Sequence, residues 1–205
     1  AKEAIEDSYE KSTTDEFIFS EKGHSYTLNG KKLTGVTTIL GVIAKELTQW
    51  SANMAVDYVK NHSAMTSVTD YAVSEGVLED ARKAWITVRD TAGDKGKEVH
   101  SIIEGIIKRA IALDGYILPV EASEYAEHPQ VTNFINWATN SNILFLESEK
   151  SVYSKKHWCA GTLDIVCEKD GEVYLADIKT AKYIYPTNYW QMSAYQMMLQ
   201  EMGLY

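Results

Sequence analysis

The chain of 205 residues is poor in cysteine and in long apolar runs, and each shortage excludes a class of protein. Its two cysteines, Cys159 and Cys167, are too few for a disulfide framework or a four-cysteine metal cluster, so we expect a reducing, cytoplasmic location. No apolar run approaches the length of a membrane span, and the first residues contain no signal-peptide core. We therefore expect no membrane partner. No linker rich in Pro, Gly and Ser divides the chain, which favours a single domain over residues 1–205.

Positive charge is also scarce, because the formal net charge is −9. This charge argues against broad, non-specific attraction to nucleic acid but leaves room for a local basic groove, for example around Lys155 and Lys156. The chain also lacks a phosphate-binding Gly-x-x-x-x-Gly-Lys loop, a dinucleotide fingerprint and a Gly-x-Ser-x-Gly nucleophile elbow. The protein classes that depend on these three motifs are therefore excluded.

The most informative segment covers residues 161–179. Asp170-Gly171 predicts a two-residue hairpin turn between two runs of apolar and β-branched residues. Counting outward from this turn places Asp164 opposite Asp177, with Cβ atoms about 4.5–5.5 Å apart. Two carboxylates that close repel each other unless a proton or cation lies between them. Because Lys179 follows on the same face of the strand, the hairpin predicts a metal site with a neighbouring ammonium group.

Both faces of this hairpin carry apolar side chains, which is typical of interior strands in a covered sheet. Strict alternation predicts Leu163, Ile165 and Cys167 on one face, and Val166 with the acidic side chains on the other. Charges in such a place are costly unless they are paired or bound to metal. The alternative is a solvated hairpin face with scattered charges.

His100 lies at the edge of the apolar stripe of a predicted helix, and Glu104 follows one turn later. Imidazole is a common metal ligand, so His100 is a candidate to complete a coordination sphere begun by the two aspartates. The alternative is a half-buried histidine at a contact between helix and sheet.

Glu149 is a candidate in the strand before the hairpin. If 155–158 form a four-residue loop, Ser154 pairs with Cys159 and Glu149 lies opposite Asp164. A register slip of one residue would favour Glu147 instead. The alternative for either residue is a solvated charge at the edge of the sheet.

Gln191 and Tyr195 share one face of the last predicted helix, because they are four residues apart. A carboxamide and a phenol can bind a phosphate or hold a lysine in place. Without further context, an amphipathic helix with these two side chains is unremarkable.

Hydrophobic periodicity and turn signals predict an α+β protein with a central mixed β-sheet, an antiparallel meander and flanking helices. Residues 1–90 are expected to form an N-terminal hairpin at 17–33, a threonine-capped helix at 35–40 and further helices at 47–62 and 69–89. Residues 91–205 are expected to form the core. Its predicted helices are 94–113, 131–140 and 186–202, and its predicted strands are 143–153, 160–168 and 172–179.

In this order, His100, Gly161-Thr-x-Asp164, Asp177-x-Lys179-Thr180 and Gln191-x-x-x-Tyr195 resemble the PD-(D/E)XK nuclease superfamily. The resemblance is to its RecB-like branch, which includes the mitochondrial genome maintenance exonuclease and many phage exonucleases. It spans residues 96–195, and Leu33 to Leu40 also resemble the N-terminal part of phage members. The resemblance implies a restriction-endonuclease-like core. Relatives with an iron–sulfur cluster use four cysteines, so we expect no such cluster in a chain with two.

The resemblance also implies roles for single residues. His100, Asp164, Asp177 and the backbone carbonyl of Ile178 become ligands of Mg²⁺ or Mn²⁺, and Lys179 positions or activates the attacking water. The accessory residues are Gln191 and Tyr195, which contact Lys179 or a DNA phosphate, and Glu149 as a less secure acidic position.

The expected activity is a metal-dependent DNA exonuclease acting on single strands or duplex ends, in phage or bacterial recombination and repair. The alternatives are a structure-specific endonuclease or resolvase of the same fold, and a nucleic-acid-binding module without activity.

Overall fold

The computed structural model describes residues 15–43, 47–65, 71–119 and 122–205. The strands of these ranges are β1 Phe17–Ser20, β2 Ser25–Leu28, β3 Lys31–Gly35, β4 Ala64–Met65, β5 Tyr71–Ala72, β6 Leu144–Ser154, β7 Cys159–Lys169 and β8 Glu172–Ala176. The helices are α1 Val36–Gly41, α2 Thr48–His62, α3 Glu75–Ile111, α4 Pro129–Asn140 and α5 Pro186–Glu201, with a 3-10 turn at Ala122–Tyr125. Among the described residues, no helix has the length and apolar character needed to cross a membrane.

The strand β7 is the centre of a six-stranded mixed sheet. β6 pairs antiparallel with β7 from one end to the other. On the opposite edge of β7, β3 pairs in parallel with its first residues and β8 pairs antiparallel with its second half. β1, β2 and β3 form an antiparallel meander of their own. The predicted α+β class, with a mixed central sheet, an antiparallel meander and flanking helices, is confirmed at this level.

Both turns that set the register of the predicted site formed as the sequence indicated. Lys169 pairs with Glu172 across Asp170-Gly171, and positive φ angles of 54° and 81° at these two residues suit the primed turn that joins tight hairpins. At the other end of β7, Ser154 pairs with Cys159. Lys155, Lys156, His157 and Trp158 therefore form the predicted four-residue loop.

Helices cover the sheet on two sides. Buried side chains of α3 and α4 pack on one face, where the core contains Val99, Ile103, Ile107, Val131, Ile135, Phe145, Ile165 and Cys167. α1 and α5 pack on the other face, where the core contains Val36, Val152, Leu163, Val166, Tyr195, Met198 and Leu199. Since β7 contributes to both cores, its central position explains why it carries apolar residues on both faces.

The alternation of faces along β7 is interrupted at Asp164, so the predicted face of Leu163 was wrong. Leu163 packs in the α5 core with Val166, whereas Ile165 packs in the α3 core with Cys167. The opposite position in β6 is Glu149, whose φ of 54° departs from extended geometry. The pairs next to these two acidic residues, Lys150 with Leu163 and Ser148 with Ile165, keep one register, and the register shifts only further along, between Phe145 and Glu147. Irregularities of this kind re-aim side chains and are frequent beside active sites.

The helix α3 runs without a break through 90–94, where the sequence had indicated two separate helices. Gly93 in this segment is exposed, and one glycine without proline costs a helix only about 1 kcal/mol. At about 1.5 Å per residue, 37 residues make α3 about 55 Å long. The N-terminal elaboration and the core therefore share one continuous helix.

Three smaller expectations also failed. β8 ends at Ala176, three residues before the predicted end of the strand. The N-cap of α1 is Gly35 and makes no side-chain hydrogen bond, so neither threonine of this helix caps it. The helix predicted at 69–89 was wrong in its first turn. Residues 69 and 70 lie outside the described residues, Tyr71–Ala72 form β5, and the helix begins at Glu75 after the N-cap Ser74.

Candidate metal and phosphate site

Asp164 lies in the middle of β7 and joins the sheet to α3. Its Oδ2 atom accepts a hydrogen bond of 2.7 Å from the backbone N–H of Ile178 and lies 3.7 Å from Nδ1 of His100. The side chain of Asp164 is only 15% exposed, and that of His100 is 34% exposed. The structure therefore brings together these three predicted residues, although they come from β7, α3 and the segment after β8.

The end of β8 explains why Ile178 reaches Asp164. The ladder between β7 and β8 stops at the pair of Ile165 with Ala176. Two residues later, the N–H of Ile178 donates to a carboxylate rather than to a backbone carbonyl. The side chain of Ile178 packs against the core beneath α3 and α4. This packing fixes the short segment that carries Asp177 and Lys179.

Lys179 connects the aspartates to α5. Its Nζ forms an ion pair with Oδ2 of Asp177 and donates a hydrogen bond of 3.4 Å to Oε1 of Gln191. Nε2 of Gln191 in turn donates a 2.9 Å hydrogen bond to Oη of Tyr195. The side chain of Asp177 is 8% exposed and that of Lys179 is 26% exposed, so this chain of contacts is largely shielded from water. The contact predicted between Lys179 and the glutamine–tyrosine pair is present.

The ring of Tyr195 occupies the space that a side chain at Gly161 would fill. The tyrosine is buried, and a Cβ built on Gly161 would overlap its ring carbon Cε1. Burial raises the pKa of Tyr195 to about 12, against a smaller opposing effect of the hydrogen bond from Gln191. The phenol is therefore neutral near pH 7 and acts as a hydrogen-bonding group.

The helix α3 makes a second close approach near Gly96. A Cβ on this glycine would stand 2.9 Å from Oγ1 of Thr180, the residue after Lys179. Gly96 is buried, and one turn later α3 carries His100. A small residue at this position therefore lets the helix approach the loop that carries the aspartate and the lysine.

Glu149, and not Glu147, belongs to the acidic group. Burial raises the pKa of Glu149 from 4.5 to about 7, and repulsion by Asp164 and Glu104 adds to this effect. Although Glu149 is exposed overall, the surrounding protein removes part of the water around its carboxyl group. Glu147 instead pairs with Lys150 at 2.7 Å and accepts a hydrogen bond from Tyr205.

The electrostatics of Asp164 show an excess of negative charge at the site. Burial raises the pKa of Asp164, and repulsion by Asp177 raises it further. The hydrogen bond from Ile178 and the charges of His100 and Lys179 act in the opposite direction without cancelling these causes. The group therefore favours an added cation or proton.

The donor types suit Mg²⁺ or Mn²⁺, because two carboxylates and an imidazole are ligands these ions accept. Among the described residues, no three His, Cys, Asp or Glu side chains are arranged closely enough to hold a metal ion. The ammonium of Lys179 lies on Asp177, and Oδ2 of Asp164 is engaged by Ile178 and His100. These side chains are of the types that bind Mg²⁺ or Mn²⁺. To form a coordination sphere, side chains such as that of Lys179 must rotate away from the carboxylates.

Sequence reasoning missed a polar chain that reaches the site from the N-terminal meander. Oη of the buried Tyr26 in β2 is 3.1 Å from Oγ1 of Thr162, which lies 3.0 Å from Oγ of Ser151. Tyr26 also lies within electrostatic range of Glu149 and Tyr195. No local motif marks Tyr26, since 136 positions separate it from Thr162.

Comparisons with known proteins add no family assignment. No protein-family model matches the chain, and a search of curated proteins gives no significant match. Function is therefore inferred from the arrangement of the site and from the resemblance of its motifs.

Proposed function

We propose that the protein is a metal-dependent deoxyribonuclease of the PD-(D/E)XK superfamily, with a restriction-endonuclease-like core. One observation carries the proposal. Asp164, Asp177 and Lys179 lie together on the central strand and the segment after its hairpin, in the order and grouping that the family motif requires. The convergence of His100 and Gln191 on the same place, from α3 and α5, supports it further.

The chemistry needed is attack of water on a phosphodiester. Asp164, Asp177 and His100 would hold a divalent ion, which would lower the pKa of the attacking water and offset negative charge on the phosphate. Lys179, beside the carboxylates, offers its ammonium to the charge that develops on the phosphate oxygens. Gln191 orients that ammonium and is itself oriented by Tyr195. Glu149, with a pKa of about 7, is suited to accept a proton from water near neutral pH.

We propose exonuclease action on single-stranded or unpaired ends. An aromatic cleft of about 630 Å³ supports this mode of action. It lies between the N-terminal helices and the start of α5. Trp50 lines it from α2, and Trp190 lines it from the position next to Gln191. Trp190 is exposed and Trp50 is half-buried, and accessible aromatic rings of this kind suit the stacking of unpaired bases.

A nucleic-acid-binding module without activity is the second candidate. It is favoured by the ion pair of Lys179 with Asp177, which neutralises one carboxylate without a metal ion. In that case the acidic group is a structural remnant, and metal ions change neither stability nor DNA integrity.

The test is cleavage of end-labelled linear DNA and of covalently closed circles, each with Mg²⁺, Mn²⁺ or EDTA. We expect metal-dependent loss of linear DNA from an end, with circles intact. Asp164→Asn is expected to be inactive, whereas Asp170→Asn, at the tip of the same hairpin, retains wild-type activity. Cleavage of circles at the rate of linear DNA would favour the endonuclease. No cleavage under any condition would favour the binding module.

A further inference from the structure

A second cleft, of about 340 Å³, adjoins the candidate site between α3, α4 and the end of β8. Asp177, Lys179 and Thr180 line one end of it. Apolar side chains supply most of the remaining wall, namely Val99, Ile103, Phe134, Ile165, Ala176 and Ile178. Apolar clefts of this size with a few polar groups are typical of sites for small molecules or parts of larger ligands.

The remaining polar groups of this cleft come from α4. Gln130 and Asn133 are one helical turn apart, are exposed, and both line the cleft. Within the described part of the chain, neither carboxamide has a hydrogen-bond partner. A carboxamide offers donors and an acceptor together, which is the combination needed to bind the edge of a nucleobase.

Trp137 adds an aromatic wall one turn beyond Asn133. Its side chain is 42% exposed, and its ring centroid lies 5.7 Å from that of Phe134. Phe134 in turn lies 5.8 Å from the buried Phe145. The indole is therefore supported from the core while part of it remains accessible. Rings presented in this way bind unpaired bases by stacking.

We propose that this cleft holds the unpaired base of the nucleotide next to the scissile phosphate. Trp137 stacks on the base, and the carboxamides of Gln130 and Asn133 bind its edge. The inference rests on the proposed function, because that function places the phosphate at Lys179, which lines the same cleft. It adds a structural reason for acting on unpaired nucleotides, since a base inside a duplex cannot enter the cleft.

The test is binding of short single-stranded oligonucleotides in EDTA, with one nucleotide at a time replaced by an abasic residue. Fluorescence anisotropy is expected to show about a tenfold loss of affinity at one position, the size of one stacked base. Trp137→Ala is expected to bind the intact and abasic strands almost equally, because it removes the stacking. The double variant Gln130→Ala with Asn133→Ala keeps the indole and is expected to show a smaller abasic effect than the wild type, because only the contacts to the edge of the base are lost. Asn136→Ala is the matched control, because Asn136 is exposed on α4 outside the cleft and should preserve the discrimination.

The inference would be overturned by equal wild-type affinity for every abasic strand, or by unchanged discrimination in Trp137→Ala or in the double variant. The proposed function is judged separately by metal-dependent cleavage. A wild-type protein that discriminates abasic strands in EDTA but never cleaves DNA would refute the nuclease and support the base-binding cleft. Failure of the wild type to bind any oligonucleotide would overturn the inference as well.

Discussion

The ring of Tyr195 packs directly on the backbone of Gly161, with Cζ and Oη each 3.2 Å from the point where a Cβ would stand. Gly161→Ala is therefore expected to lower the free energy of unfolding by about 1–3 kcal/mol, because a buried ring must move. The same displacement would separate Tyr195 from Gln191 and so loosen Lys179. Urea unfolding measures the first effect, and loss of DNA cleavage measures the second.

Gly105→Ala is the control for this substitution. Gly105 is exposed within α3, and a Cβ there would meet nothing within 4 Å. Its replacement should raise the free energy of unfolding by up to about 1 kcal/mol, since alanine favours the helix. If Gly161→Ala proved as stable as Gly105→Ala, the packing of Tyr195 on Gly161 would have no energetic importance.

The raised pKa of Glu149 predicts how stability depends on pH without divalent metal. Its carboxyl group has a pKa of about 7 in the folded protein against 4.5 as the reference value. The folded state therefore holds this proton more firmly than the unfolded state. The stabilising contribution is fully present below about pH 4.5 and is lost as the pH rises through about 7. Glu149→Gln should consequently raise the melting temperature at pH 8 in EDTA and change it little at pH 4. Equal melting temperatures of both proteins at pH 8 would argue against the acidic cluster.

Metal binding is expected to stabilise the folded protein. At Mn²⁺ concentrations of roughly ten times the dissociation constant, we expect the melting temperature to rise by about 3 °C. Asp164→Asn should abolish that rise and, without metal, should melt at or above the wild-type temperature, because its repulsion with Asp177 is removed. Asp170→Asn serves as the control in differential scanning fluorimetry. A full Mn²⁺ response in Asp164→Asn would rule out Asp164 as a ligand.

Lys179→Ala is expected to keep metal binding and lose most turnover. Without metal it leaves the nearly buried Asp177 without its cation, which should destabilise the fold by up to about 3 kcal/mol. Added Mn²⁺ should restore stability by a larger margin than in the wild type. Lys169→Ala, on the exposed end of the same hairpin, controls for the loss of a lysine. Near wild-type cleavage by Lys179→Ala would contradict its role at the phosphate.

The register of the site was predictable because two turns determine it. Asp170-Gly171 has one favoured geometry, and the loop from Lys155 to Trp158 fixes the pairing of β6 with β7. Once both turns are placed, the level of Asp164 and Glu149 in the sheet follows by counting. The contact of His100 with Asp164 was harder to predict. Helical periodicity indicates which face of α3 carries His100, but it does not indicate which element that face contacts.

Other features depend on contacts between distant segments and had no local signal. The faces of β7 change at Asp164, opposite the positive φ of Glu149 in β6, although nothing in either strand pattern indicates it. The contact of Tyr26 with Thr162 requires β3 to join β7, and this junction consists of two residue pairs. The continuity of α3 through Gly93 is decided by tertiary packing, since the local preference of one glycine is small.

The position of α5 has a consequence for the order of synthesis. Asp164, Asp177 and Lys179 leave the ribosome before Gln191 and Tyr195, the residues that orient the lysine. The core face that α5 covers is also open until that helix docks. A partly synthesised chain therefore carries the carboxylates and the lysine without the helix that aligns them. The contacts that orient Lys179 therefore form only when α5 docks on the sheet.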